Sequence, residues 1–280
     1  MSERNQFRPV QPVRAYERIV EHSFWQDVQE RVIGETIGPE WKFDTLIVDE
    51  GQDFEPQWSE ILRLFLKPDS DLLWLEDPDQ SIRLDRANNS TSGPAYEKLS
   101  SQFISFRARA NFRSPETIAR YIQRVLLFDF LPSNPLPGLG VGVTTYKEAG
   151  EQSKRVAAIV TDLVRTGFRH SDIVILSMRG LARATFAQEK RVGAFTLSRP
   201  TGGYDLLGNQ LFENGQLRFD TVYRFKGQQA PAIILTDVDP NQDRLDHAER
   251  LLFTAMTRAT VRLELVLREG NSAAERLMNV

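Results

Sequence analysis

The sequence predicts an α/β protein built on parallel sheets, and three observations carry that prediction. Short apolar runs such as Leu46-Ile47-Val48 and the stretch APAIILTDV alternate with segments whose apolar residues recur at helical spacing. The runs are continuously apolar rather than alternating with polar residues, as strands buried on both faces are. The alternation of strand and helix occurs twice, before and after a Pro- and Gly-rich stretch at residues 131–142.

In chain order, residues 14–33 (RAYERIVEHSFWQDVQERVI) place apolar side chains at roughly helical intervals and are expected to form a helix. DTLIVDE, from Asp44, reads as a strand buried on both faces that ends at its acids. EPQWSEILRLFL returns to helical spacing, with Pro56 near its start, where a missing N–H costs nothing. DLLWLEDPDQSI is a second apolar strand ending in an acidic turn, and RLDRANNSTSGPAY is polar and turn-rich, hence a loop.

FISFRARANFRSPETIARYIQRVLLF supplies a strand, a turn and a helix. Ser114 is placed as its N-cap, Pro115 in the first turn, and Glu116 where an acid favours the helix dipole. LPSNPLPGLGVG is the expected domain boundary, dividing the chain into 1–135 and 136–280. Beyond it come the strand VGVTTY, the helix SKRVAAIVTDLVRTG and the strand DIVILS. FDTVYRF, the strand APAIILTDV, the helix DHAERLLFTAMTRAT and the strand RLELVLRE follow.

The composition narrows the function classes. A chain of 280 residues, 41% hydrophobic and 26% charged, suffices for two ordinary globular domains. No apolar run approaches the ~20 residues that span a bilayer, and the N-terminus lacks the apolar core of a secretory signal. A cytoplasmic protein with no membrane partner is expected. Without cysteine there are neither disulfides nor thiolate metal sites, and three histidines leave little for zinc. The net charge of −3 gives no global basic field. Arg outnumbers Lys 28 to 7, which fits either codon usage or a use for planar guanidinium groups on phosphate.

Ligands of open α/β sheets bind at the carboxyl ends of strands. Asp49 and Glu50 stand at such an end, with Gln52 and Asp53 in the same turn. Adjacent carboxylates there suit Mg²⁺, which takes one or two carboxylates plus phosphate oxygens and water. They also suit a plain turn acid and a helix-capping acid. Asp77, Asp79 and Gln80 end the next strand, and Arg113 immediately precedes a helix. Arg224, Lys226 and Gly227 precede an apolar strand, and Arg258 lies near the end of a helix.

From about Phe43 to its end the chain resembles the superfamily 1 helicases of the UvrD/Rep type. LIVDEGQDF resembles their Walker B motif, which binds magnesium and activates water, and LLWLEDPDQSI their Gln-containing coupling motif. NFRSPETIARYI, FDTVYRFKGQQA and LLFTAMTRA resemble three further motifs, all in the family's order. The resemblance implies two RecA-like parallel-sheet domains, the first incomplete, and ATP and Mg²⁺ as cofactors. Asp49 would hold the metal and Glu50 would be the general base. Gln80 would sense the γ-phosphate, Phe112 would stack on adenine, and Arg113 and Arg258 would clamp the γ-phosphate. Gly227 and Gln229 fall where the family has Lys-Gly-Leu-Glu, whose Glu reaches the ribose. Thr221 and Tyr223 fall at its Thr-x-His, on the path of single-stranded DNA or RNA.

The chain contains no Gly-Lys pair, and so no G-x-x-x-x-G-K-[ST] loop to cradle phosphates. It therefore reads as the C-terminal portion of a helicase whose Walker A loop comes from an upstream domain or partner chain, with little or no ATP hydrolysis alone. After Gln80-Ser81-Ile82, Arg83, Leu84 and Asp85 stand where the family often carries aromatics. The alternative reading is a non-catalytic nucleic-acid or protein binding module derived from a helicase. A metal-dependent nuclease on Asp44, Asp49, Glu50 and Asp53 would need acids from separate strands and a positioned Lys, a pattern the sequence lacks.

Overall fold

The computed structural model describes residues 27–54, 56–82, 104–126, 128–148, 150–207, 209–238, 245–270 and 272–278. The chain divides into two compact units, and the described residues of the first all precede Pro78. The second takes Pro78 onward, including everything described from Ile104. The boundary anticipated at residue 135 lies inside the second unit.

In the first unit, residues 27–34 form helix α1, and the rest of the helix expected over 14–33 lies outside the described residues. Strand β1 (Phe43–Val48), helix α2 (Pro56–Leu64) and strand β2 (Leu66–Trp74) follow, and β1 and β2 pair in parallel. β1 is not buried on both faces as expected. Val48 is buried, but Ile47 is 62% exposed and Phe43 is exposed too. Successive side chains of a strand point to opposite faces, and only one face of β1 is covered among the described residues.

The second unit begins with a short 3-10 turn at Pro78–Gln80. Next come β3 (Ala110–Asn111), α3 (Glu116–Leu126), β4 (Leu131–Pro132), β5 (Val141–Tyr146), α4 (Glu151–Arg165) and β6 (Ile173–Ser177). The short strands β7 (Arg191–Val192), β8 (Phe195–Ser198), β9 (Pro200–Tyr204) and β10 (Gln210–Phe212) follow. β11 (Leu217–Thr221) leads into the single turn α5 (Val222–Phe225), then β12 (Ala230–Val238), α6 (Leu245–Met256), β13 (Ala259–Arg268) and α7 (Ser272–Met278).

Seven of these strands form one sheet in the order β5-β13-β12-β6-β11-β8-β7, parallel throughout except for the β7–β8 pair. Its central strands are covered on both faces. Ile233 and Leu235 of β12 and Val174 and Leu176 of β6 pack with α3 and α6, while Ala232, Ile234, Ile173 and Ile175 face the side that holds Val156 and Val160 of α4. The period of two explains why these strands read as unbroken apolar runs: each face meets a helix layer. The predicted mixed α/β class, with a large parallel-dominated sheet, is what the chain adopts.

Helix α3 starts differently from the expectation. The Ser114 hydroxyl is buried and has no hydrogen-bond partner. The helix N-terminus is satisfied instead by the Leu136 carbonyl, which accepts from Glu116 N at 3.0 Å, and by the Pro137 carbonyl, which accepts from the Thr117 hydroxyl at 2.5 Å. Orphan amide groups of a helix end accept any well-placed oxygen, so a neighbouring loop does here what a side chain does elsewhere.

Candidate functional site

Parallel pairing places Val48 opposite Trp74, so the turns after β1 and β2 leave the sheet side by side. Leu75 N donates to the Val48 carbonyl, and Gly51 N to the Leu75 carbonyl, each at 2.8 Å. A Cβ on Gly51 would overlap the Trp74 indole, so the close approach of the two turns requires glycine. Glu50 is held at φ +54°, a left-handed conformation that costs a non-glycine residue about 1 kcal/mol or more.

Side chains within this turn offset that strain. Asp49 Oδ1 accepts from Glu50 N at 2.9 Å, and Gln52 Nε2 donates to Glu50 Oε2 at 2.6 Å. The other end of the Gln52 amide accepts from Asp77 N at 3.0 Å. Gln52 is 2% exposed, so both bonds are made away from water, where they are stronger. Asp49 itself is exposed. Beside them, burial pushes the Glu76 carboxyl up; the hydrogen bond from Trp74 Nε1 opposes that shift and the Asp77 charge adds to it. The sequence marked Gln52 only as a further polar group. Its double hydrogen bond, joining Glu50 to the backbone of Asp77, appears in the structure.

In the second unit the turn that carries Gln80 packs beside α6, and Ile82 is buried with α3, β12 and β13. Arg258, at the end of α6, is 2% exposed. Its Nη2 donates to Gln80 Oε1 at 2.5 Å, its Nε to the Thr254 carbonyl at 3.0 Å, and its Nη1 reaches the Gln228 carbonyl at 3.5 Å. Ala230 N donates to the Arg258 carbonyl at 3.0 Å. Gly227, at φ +82°, makes the turn that brings Gln228 to Arg258, and Gln229 is exposed. Gln80, the turn at Gly227 and Arg258 are therefore together in one unit.

Phe112 and Arg113 stand exposed on the turn before α3. Asn111 Oδ1 accepts from Arg113 N at 3.1 Å and from Ser114 N at 2.9 Å, which shapes that turn. Among the described residues no hydrogen bond or ion pair joins Phe112 or Arg113 to Arg258. Thr221 is buried, and Tyr223 is half-buried with its hydroxyl 3.0 Å from His247 Nε2. Arg83, Leu84 and Asp85 lie outside the described residues.

Two further acids were not singled out by the sequence. Asp220 is fully buried, 2.9 Å from Arg218 Nη2 and 3.5 Å from Arg224 Nε. Burial pushes its carboxyl up, and the hydrogen bonds from Arg218 and Thr221 N and the two guanidinium charges oppose that shift. Asp237, at φ +54°, ends β12. It accepts from the Ser177 hydroxyl at 2.6 Å, from Thr185 N at 3.0 Å and from the Thr185 hydroxyl at 2.5 Å. An acid closing an apolar strand is the same signal that drew notice to Asp49.

Residues 216–266 match the family model of the UvrD-like helicase C-terminal domain. That segment runs from β11 into β13 and includes Thr221, Tyr223, Gly227, Gln229 and Arg258. The resemblance to the UvrD type thus holds for a UvrD-like helicase C-terminal portion in this chain. Among solved structures, the chain is similar to the C-terminal domain of a possible DNA helicase from Lactobacillus plantarum WCFS1. The identity is 16% and the TM-score 0.43, with 60% of this chain and 94% of that one covered. A search of curated proteins returns no match. No helix among the described residues is long and apolar enough to cross a membrane.

Proposed function

We propose that the chain is the C-terminal part of an ATP-dependent helicase or translocase that moves single-stranded DNA or RNA, its phosphate loop supplied by an upstream domain or partner chain. The supporting observation is the bond between Gln80 and Arg258, one from an acidic turn after a strand and the other from the segment that matches the helicase family model.

The donor set suits Mg²⁺. Asp49 and Glu50 offer hard carboxylate oxygens, and Asp49 is exposed at a strand end with one oxygen accepting the Glu50 N–H. Bound Mg²⁺ would offset charge on the nucleotide phosphates. Glu50, its carboxylate oriented by Gln52, takes the proton of the attacking water. Arg113 and Arg258 neutralise charge on the γ-phosphate, and Gln80 registers its loss. Phe112, exposed, offers a ring to adenine, and the turn at Gly227 and Gln229 approaches the ribose.

The test is ATP turnover. The purified chain with single-stranded DNA is expected to give background turnover, because nothing in it replaces the phosphate loop. Turnover that Glu50→Gln abolishes would overturn that expectation. The longer reading frame is expected to encode G-x-x-x-x-G-K-[ST] upstream, and its product to lose about 10³-fold in turnover with Arg258→Ala. Full turnover in that variant and in Glu50→Gln would sink the reading.

A further inference from the structure

The ribbon β9–β10 plays no part in the function proposed above. It pairs antiparallel, with Gln210 opposite Tyr204 and Phe212 opposite Pro200. Its tip is held by one side chain. Asp205 Oδ1 accepts from Leu207 N at 2.9 Å and Asn209 N at 2.8 Å, and Oδ2 accepts from Asn209 Nδ2 at 2.9 Å. Asp205 N in turn donates to the Asn209 carbonyl at 2.9 Å. What this fastened tip presents is apolar: Leu206 and Leu207 are exposed almost completely, and Tyr204 beside them is 56% exposed.

The base of the ribbon carries guanidinium groups. Arg218 lies 4.7 Å from the centre of the Phe212 ring and 5.0 Å from that of Phe225, and Arg224 lies 6.0 Å from that of Tyr204. Both arginines share the single buried carboxylate of Asp220. That leaves positive charge in excess. Arg218 Nε and both Nε and Nη2 of Arg224 have no hydrogen-bond acceptor among the described residues.

We propose that the β9–β10 ribbon is a contact surface for single-stranded nucleic acid, with Tyr204, Leu206 and Leu207 against unstacked bases and Arg218 and Arg224 toward phosphates. Unpaired bases offer flat apolar faces to aromatic side chains and to apolar wedges, and the strand that carries them is an anion. A convex tip with two leucines suits bases splayed from a strand better than a protein partner, whose stable docking needs a broad patch. The surplus of guanidinium over carboxylate is the matching charge. The proposal rests on the nucleic-acid reading above.

The experiment is fluorescence anisotropy of a labelled oligothymidine with the full chain, in a salt series without nucleotide. Binding is expected, weakened about fivefold or more by Tyr204→Ala and by the double variant L206S/L207S, and restored by Tyr204→Phe. Arg224→Ala is expected to lower the slope of log affinity against log salt by about 0.7. The tip variants replace exposed side chains, and an unchanged melting temperature separates lost contacts from lost folding. Tight binding by the wild type that none of these variants weakens overturns this proposal and leaves the nucleic-acid reading standing. No binding by the wild type overturns both. Leucine variants that change the sedimentation coefficient but not anisotropy assign the tip to a second copy, which also overturns it.

Discussion

Gln80 accepts a hydrogen bond from Arg258 across 178 positions of sequence, and the guanidinium that donates it is buried. A buried charge satisfied by neutral oxygens depends on each of them, because desolvating an ion is costly unless its hydrogen bonds are made.

Gln80→Ala is accordingly expected to destabilise the second unit by about 1–3 kcal/mol, the range for a hydrogen bond to a charged group. Arg258→Ala should cost more, since it also empties a packed site. A double-mutant cycle read by urea unfolding should give a coupling of about 1 kcal/mol or more. Additive effects would show that the two residues do not act as a pair.

Gly51→Ala should destabilise the turn after β1 by about 1–3 kcal/mol, because the added methyl meets the Trp74 indole and neighbouring backbone must move. Tryptophan fluorescence during thermal unfolding checks it, with a lower midpoint and a shifted native emission expected. Gly34, which has open space at its Cβ position, provides the control: Gly34→Ala should leave both unchanged.

Ile82→Ala should cost about 2–5 kcal/mol in chemical denaturation, the usual range for truncating a fully buried aliphatic side chain. The loss measures how firmly the segment after Gln80 is anchored beside Ile118 and Ile122 of α3.

Tyr121 supplies a pH test. Burial pushes its phenol up to about 12 from an ordinary value of 10.0, with the Arg124 charge opposing, and its hydroxyl donates to the Leu277 carbonyl at 2.6 Å. A raised folded value means that the neutral phenol favours the fold. This contribution is complete below pH 10 and is lost as pH climbs through about 12. Unfolding free energy measured over that interval should fall in the wild type, and the fall should be shallower in Tyr121→Phe.

The strands and helices of the large sheet were legible because their signal is local. The runs at β6, β12 and β13 are apolar at every position, and only a strand covered on both faces needs that. The same logic misread β1, whose Leu46-Ile47-Val48 is just as apolar while Ile47 is exposed. Periodicity reports what a strand could bury, whereas burial depends on the layers that cover it. Ser114 was misplaced as a cap because the carbonyls of Leu136 and Pro137 that replace it come from a different stretch of chain. The β9–β10 ribbon went unseen because PTGGYDLLGNQLF, dense in glycine and turn formers, contains no apolar run long enough to mark a strand. Among the site residues, Asp49 and Asp237 carry the same sequence signature. One ends exposed and the other is buried beneath hydroxyl donors.

The pairing of β5 with β13 has a consequence for biosynthesis. Thr144 finds its neighbour in Val266, so a strand near the start of the large sheet has no partner until the last strand has left the ribosome. Tyr146, also on β5, stays without its pairing to Arg268 for the same interval. Nascent chains halted before Ala259 would therefore show an open edge to chaperones, and the sheet would close only after release.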